Sequence, residues 1–446
     1  MSRSSRALLG AAILVHLFML VSWRTGTLNP LFFDATVTHG QRGWDFYALY
    51  QAGHNVLTGH SVYESDGARI DMVIPGGTYT PFRYLPVAAY TVGVLLNLVP
   101  PLWAYRLWVA LTEGCLLLCI ALTWRLVRDP ARRARLAAMW LCYSPYYLEI
   151  YMGQFSFVQA TLLFATLLAA LYGHLGAAMS APWIASVLWK QNTALLAPVL
   201  ARLRRWRALA TLVLLLLLTN APYFALVPGS LAAFARNFAA DAPWFQMGNL
   251  GFRQLVFDAL WSAGDVLGLE IGPAAHAWAQ RAALSLFMFL PLALLLLDRR
   301  PDAVLHMSLW MTAYFLVYHH VWEHHYVMLL PVLVILSVRA AMRNVAHAAT
   351  RHAELALGVL YLLLALPTPY ALIDPQGQAA ALEAMRVTPI RPLWQDLAYH
   401  GAKAIPALLL YLGLAARIAA PVVREWRAGR VTLWPLVVPD GGEERR

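Results

Sequence analysis

Apolar runs of about 20 residues, the length that crosses a bilayer core, recur from residue 6 to residue 419, and nothing else in the sequence restricts the fold as strongly. They lie at 6–23, 82–99, 103–127, 134–151, 155–174, 178–201, 208–227, 276–297, 303–320, 326–342, 353–368 and 401–419. The runs predict an all-α, polytopic integral membrane protein of about twelve transmembrane helices. Of the 446 residues 60% are hydrophobic and 13% charged, where a soluble domain carries roughly 25% charged residues. No internal repeat or low-complexity linker divides the chain, so residues 1–423 read as one membrane domain and 424–446 as a cytoplasmic tail. The start MSRSSRALLGAAILVHLFMLVSW is followed by Arg24, Thr25 and Gly26, without a small-residue cleavage site, and reads as an uncleaved first span.

The net charge is +11, nearly all of the positive charge is arginine, and the only lysines are Lys190 and Lys403. The arginines stand in short clusters between apolar runs, which the positive-inside bias explains, and no nucleic-acid partner is expected. Arg3 and Arg6 place the amino end in the cytoplasm, as Arg202–Arg207, Arg299–Arg300, Arg339–Arg351 and Arg424–Arg430 place their loops. Twelve single crossings would then strand RLVRDPARRAR (125–135) outside, against the same bias. One resolution makes 178–201 a re-entrant pair of half-helices and lets a segment before Arg125 fail to cross; the sequence leaves this open. Residues 24–81 form the first extracytoplasmic loop, whose aromatic content suits short interfacial helices. Further outer segments are 228–275, 319–326 and 368–400. Cys115, Cys119 and Cys142 lie in apolar runs without a CxxC pair and read as small core residues.

Against this apolar background the polar exceptions carry the chemistry. In QRGWDFYALYQAGHNVLTG (41–59), Asp45 stands between Trp44 and Phe46, and Tyr47, Tyr50 and His54 follow at helical spacing. Asp45 is either a solvated or helix-capping acid or a partly desolvated carboxylate whose raised pKa suits it to accept a proton. Lys190-Gln191-Asn192-Thr193 interrupts APWIASVLWKQNTALLAPVL. A mid-span charge costs about 2.5–3.5 kcal/mol, so Lys190 either snorkels to an interface or faces a cavity and pairs with an anion. His319, His320, Glu323, His324 and His325 crowd one turn. His320 and His324 are four apart, but HExxH is absent, so no metal is expected and donation to a phosphate fits better. Gly153-Gln154 and the pair Asn249 and Arg253 are either backbone-satisfying turns or sugar contacts. A channel would show rings of like charge and a secondary transporter two related halves. Donors for a phosphate, aromatics and amides for a sugar, and one base instead suit an enzyme that handles a lipid-phosphate sugar.

The order DFYALYQAGHNVLTGHSVY, TPFRYLP, GQFSFVQ, KQNTALLAPVL, GNLGFRQL, HHYVMLLP resembles glycosyltransferase family 87 of the GT-C superfamily. Its best-known members are polyprenol-phosphate-mannose-dependent α-mannosyltransferases of bacterial envelope assembly. The resemblance covers most of residues 1–345 and fades beyond. It implies a GT-C-type helical bundle in the bacterial inner membrane, with the active site facing the periplasm. It implies inverting transfer of a hexose, mannose in the family, from a polyprenyl-phosphate sugar to a hydroxyl of a glycolipid or glycan. Asp45 would be the general base, and His324 and His325 would lie near the lipid phosphate. Gln154 and Lys190 match polar family positions, and Tyr79 and Arg83 stand where the loop returns to the membrane. Tyr47, Asn192 and Asn249 complete the expected substrate-binding set. Polyprenyl phosphate leaves as a stable anion, so one carboxylate suffices, unlike the paired acids of glycosidases. No cofactor is expected, since the lipid donor is itself a substrate. The alternatives are a lipid-linked glycan flippase or transporter, which needs no fixed outer carboxylate, and an O-antigen ligase or polymerase, which carries its large outer loop late in the chain.

Overall fold

The computed structural model describes residues 2–32, 41–66, 70–75, 80–239, 248–342, 348–368 and 393–428. Among these residues every regular element is helical. The first helices are α1 (Arg3–Thr25), α2 (Trp44–Thr58), α3 (Pro86–Leu96), α4 (Pro101–Leu126), α5 (Pro130–Leu141) and α6 (Pro145–Met152). Next come α7 (Ser156–Leu171), α8 (Ala177–Trp189), α9 (Ala197–Arg202), α10 (Trp206–Leu226), α11 (Ser230–Ala239) and α12 (Phe252–Leu267). The last are α13 (Pro273–Leu297), α14 (Ala303–Val317), α15 (Leu330–Met342), α16 (Ala348–Ala365) and α17 (Leu393–Arg427). Tighter 3₁₀ segments, Gln191–Leu196 and Glu323–Leu329, lead into α9 and α15.

Six described helices are long and apolar enough to cross a membrane, among them α1, α4 and α10. Leu14, Leu117, Leu218 and Phe289 are exposed on α1, α4, α10 and α13, as side chains facing lipid are. The centre is the opposite: α14 is buried from Ala303 to Leu316, and so is the stretch Glu323–Leu336. The chain is a multi-pass helical membrane protein whose interior is formed by α7, α14 and α15.

One face collects the arginine clusters. Arg132 donates to the Ala341 carbonyl at 2.8 Å and pairs with Glu354 at 3.2 Å. Arg339 forks onto Asp302, His306 meets Asp298 at 3.0 Å, and Arg202 reaches the Leu295 carbonyl at 3.1 Å. The segment 125–135 therefore shares a face with the clusters at 202, 299 and 339.

Two apolar runs depart from simple crossings and make that possible. The run 82–99 folds as the short α3, which at 1.5 Å per residue spans only about 16 Å. It docks on α2: a Cβ added to Gly53 would lie 2.1 Å from the Gly93 carbonyl carbon. Asn97 also donates to the Tyr50 carbonyl at 2.9 Å. Consequently α4 starts on the face where α1 ends, with Trp23 Nε1 donating to Tyr105 Oη at 2.8 Å, and finishes on the arginine face. The run 178–201 breaks at Lys190, which is extended (φ −152°, ψ 117°) between α8 and the turn leading to α9. Arg202 closes α9 on the arginine face, and the run is two short helices that meet at Lys190, not one continuous crossing. The run 134–151 is likewise broken into α5 and α6. In the 24–81 loop, α2 turns Phe46, Tyr47, Leu49 and Tyr50 into the protein, with Phe46 against Tyr105 and Trp108.

Candidate active site

Asp45 occupies the first turn of α2, away from the face that gathers Arg132, Arg202 and Arg339. Gly43 starts that helix with φ +81°, and its N–H donates to the Tyr151 carbonyl at 2.8 Å. A Cβ on Gly43 would stand 2.8 Å from the Tyr47 ring, so only glycine lets the chain turn here. Gly153 has φ +65°, and a Cβ on it would lie 2.5 Å from Phe46 Cβ. That close approach sets Gln154 against the start of α2.

The Asp45 carboxylate is held from both sides. Thr80 Oγ1 donates to Oδ1 and Gln154 Nε2 to Oδ2, each at 2.6 Å. Gln154 Oε1 accepts from Phe155 N at 3.2 Å and from Lys190 Nζ at 3.4 Å. Lys190 also donates to Ser156 Oγ at 2.7 Å and lies 5.7 Å over the Tyr84 ring. Burial raises the Asp45 pKa above the ordinary carboxylate value, opposed by the Thr80 hydrogen bond, Arg83, Lys190 and Gln154. The group is therefore a stronger base than a solvated aspartate, yet it is oriented and faces cations.

A cavity of about 610 Å³ opens over it, lined among others by Trp44, Asp45, Thr80, Arg83, Tyr84, Gln154, Lys190, Asn192, His320, His324 and His325. The histidine turn forms one wall. Asn249 fixes that turn, donating to the His319 carbonyl at 2.7 Å and accepting from Val321 N at 3.0 Å. His325 Nδ1 accepts from Trp322 N at 3.1 Å, which leaves its proton on Nε2. Burial, helped by Arg83, lowers the His320 pKa to about 3 and keeps that ring neutral. His324 is 1% exposed and neither of its ring nitrogens has a hydrogen-bond partner. The ring stands in the cavity wall with a donor and an acceptor that no described protein group uses.

Seven of the residues expected from sequence, Asp45, Arg83, Gln154, Lys190, Asn192, His324 and His325, line this one cavity. Tyr47 lies elsewhere, in a separate recess, and Asn249 spends its amide on the histidine turn. Tyr79 lies outside the described residues. Two contributors were not anticipated. Thr80, in TYTPFRYLP, had no signal beyond its place where the loop returns to the membrane. Glu149 is 1% exposed and caps α7, its Oε1 accepting from Phe157 N at 2.5 Å; a lone acid in YLEIYMG was the available signal. Among the described residues no group of three His, Cys, Asp or Glu side chains is placed to hold a metal.

No protein-family model and no curated protein matches the chain. Two solved structures resemble it, both of ArnT from Cupriavidus metallidurans. The apo state has 15% sequence identity and a TM-score of 0.39, covering 92% of this chain and 78% of that one. The state bound to undecaprenyl phosphate has 16% identity and a TM-score of 0.40, covering 93% and 79%. A likeness of this degree transfers no residue role and no activity.

Proposed function

We propose that the chain is a GT-C-type membrane glycosyltransferase that moves a hexose, mannose by the motif resemblance, from a polyprenyl-phosphate sugar to an acceptor hydroxyl. The observation that carries this reading is the buried carboxylate of Asp45, fixed by Thr80 and Gln154, facing a cavity whose other walls hold Arg83, Lys190, His324 and His325. Those groups are what the reaction requires. Asp45 takes the proton of the acceptor hydroxyl as its oxygen bonds to the anomeric carbon. The bond from that carbon to the phosphate oxygen breaks, and the electron pair leaves with polyprenyl phosphate. Arg83, Lys190 and neutral imidazole N–H groups stabilise the negative charge that develops there. Single displacement inverts the anomeric configuration. Positive-inside bias assigns the arginine face to the cytoplasm, which puts the cavity on the periplasmic side of a bacterial inner membrane, with the polyprenyl tail lying between helices.

The test is to incubate the purified protein in liposomes with polyprenyl-phosphate [³H]mannose and a membrane lipid and glycan extract. Transfer of label to the extract with release of polyprenyl phosphate is expected. Intact donor moved across the bilayer would replace the enzyme by a transporter, and use of pyrophosphate-linked donors alone would replace it by a ligase or polymerase.

A further inference from the structure

The opposite side of α2 carries a second recess, of about 640 Å³, that the chemistry at Asp45 does not use. Asp45 and Tyr47 are two residues apart, close to opposite faces of the helix; Asp45 lines the cavity and Tyr47 the recess. Arg24, Arg42 and Arg106 converge on this recess with Trp23, Tyr47 and Tyr105. Arg24 comes from the last turn of α1 and Arg106 from the start of α4, and Arg42 immediately precedes Gly43.

Among the described residues no carboxylate pairs with Arg24, Arg42 or Arg106. Arg42 is positioned by carbonyls, donating to those of Trp23 and Arg24 at 3.3 Å each. Arg106 lies 4.6 Å over the Trp103 ring. The floor is rigid, since Tyr105 Oη accepts from Trp23 and donates to the Ile150 carbonyl at 2.8 Å. The location is unusual too. The other arginine clusters lie on the opposite face, where the positive-inside bias wants them, so three arginines gathered here run against it. Guanidinium groups gathered around aromatic rings suit a phosphate or carboxylate carried beside a sugar.

We infer that Arg24, Arg42 and Arg106 form the binding site for an anionic group of the acceptor. The inference rests on the transferase reading above and names the acceptor class: a phosphorylated or acidic sugar compound. The anion sits on the Tyr47 side of α2, and the acceptor reaches over the start of the helix to Asp45, about one helix width of 10–12 Å away.

The experiment uses the full-length protein in neutral phosphatidylcholine liposomes with labelled donor and a membrane extract, the product being separated on an anion exchanger. The labelled product should be retained. Butanol extraction then tells whether the anion is lipid-borne or belongs to a water-soluble glycan. Arg42→Ala combined with Arg106→Ala should raise the extract concentration giving half-maximal rate by at least tenfold and leave donor saturation unchanged. Arg42→Lys with Arg106→Lys should recover part of the loss. A neutral product, or an unchanged dependence on extract with folded variants, would overturn this inference alone and leave the arginines to bulk lipid phosphates. No transfer by the wild type would overturn the transferase reading and the inference with it.

Discussion

Two buried polar groups in this protein differ in one respect. Around Asp45, the carboxylate, amide, ammonium and imidazole groups line a cavity, and both nitrogens of His324 lack partners. Where α12 and α17 meet the histidine turn, the charges are more deeply buried and closed on one another. Asp258 meets His400 at 2.5 Å with both side chains at 0% exposure, and Lys403 meets Glu323 at 3.3 Å. Gln254 and the Thr368 N–H complete those acids at 3.1 Å each, and the Leu364 carbonyl accepts from Lys403 at 2.7 Å. None of these four ionisable groups lines the cavity. Burial of charge therefore does not mark the site; polar groups that line a common cavity do. The closed set has another task, because Glu323 adjoins His324, so α17 anchors the wall on which the imidazoles sit.

The contrast breaks if the two sets respond alike to substitution. The largest effect is expected at Asp45→Asn, which should cut turnover by roughly 10²–10⁴-fold while the detergent unfolding temperature stays at the wild-type value. Lys403→Met should do the reverse, costing about 3–5 kcal/mol of stability by leaving Glu323 buried and uncompensated. Adding Glu323→Gln should return most of that loss in an unfolding titration. Lys190→Ala should weaken donor use by about 1.5–3 kcal/mol, the range for hydrogen bonds to charged groups, read as a higher KM for donor. The smallest effect is on pH. Asp45 works deprotonated and burial raises its pKa, so the rate should be full above that pKa and fall as acid is added. Thr80→Val removes a donor that stabilises the anion, so the acid limb should move to higher pH; a limb that stays put would detach Thr80 from the base.

Much of this architecture is legible in the sequence, because lipid demands apolar length and leaves polar exceptions conspicuous. The spans at α1, α4 and α10 follow from hydropathy alone. The runs 82–99 and 178–201 do not, since their apolar character satisfies protein contacts as well as lipid. Gly53 and Gly93 let α3 lie on α2, and Lys190 breaks α8 in a way that composition does not reveal. The arginine-rich 125–135 segment was the clue, because its charge contradicted a chain of single crossings. Within the cavity, Asp45, Lys190 and the histidine turn stood out as polar residues in apolar surroundings. Thr80 did not, being an ordinary loop threonine until the fold sets its hydroxyl beside Asp45. Asn249 was legible as polar but not in its use, which is to hold backbone.

Catalysis by Asp45 predicts the outcome of measuring free polyprenyl phosphate released from a polyprenyl-phosphate sugar in liposomes, wild type beside Asp45→Asn, with donor binding followed in the same samples. Release matched to sugar transfer by the wild type, and donor binding without release by the variant, is the predicted result. Equal release by both proteins would contradict it.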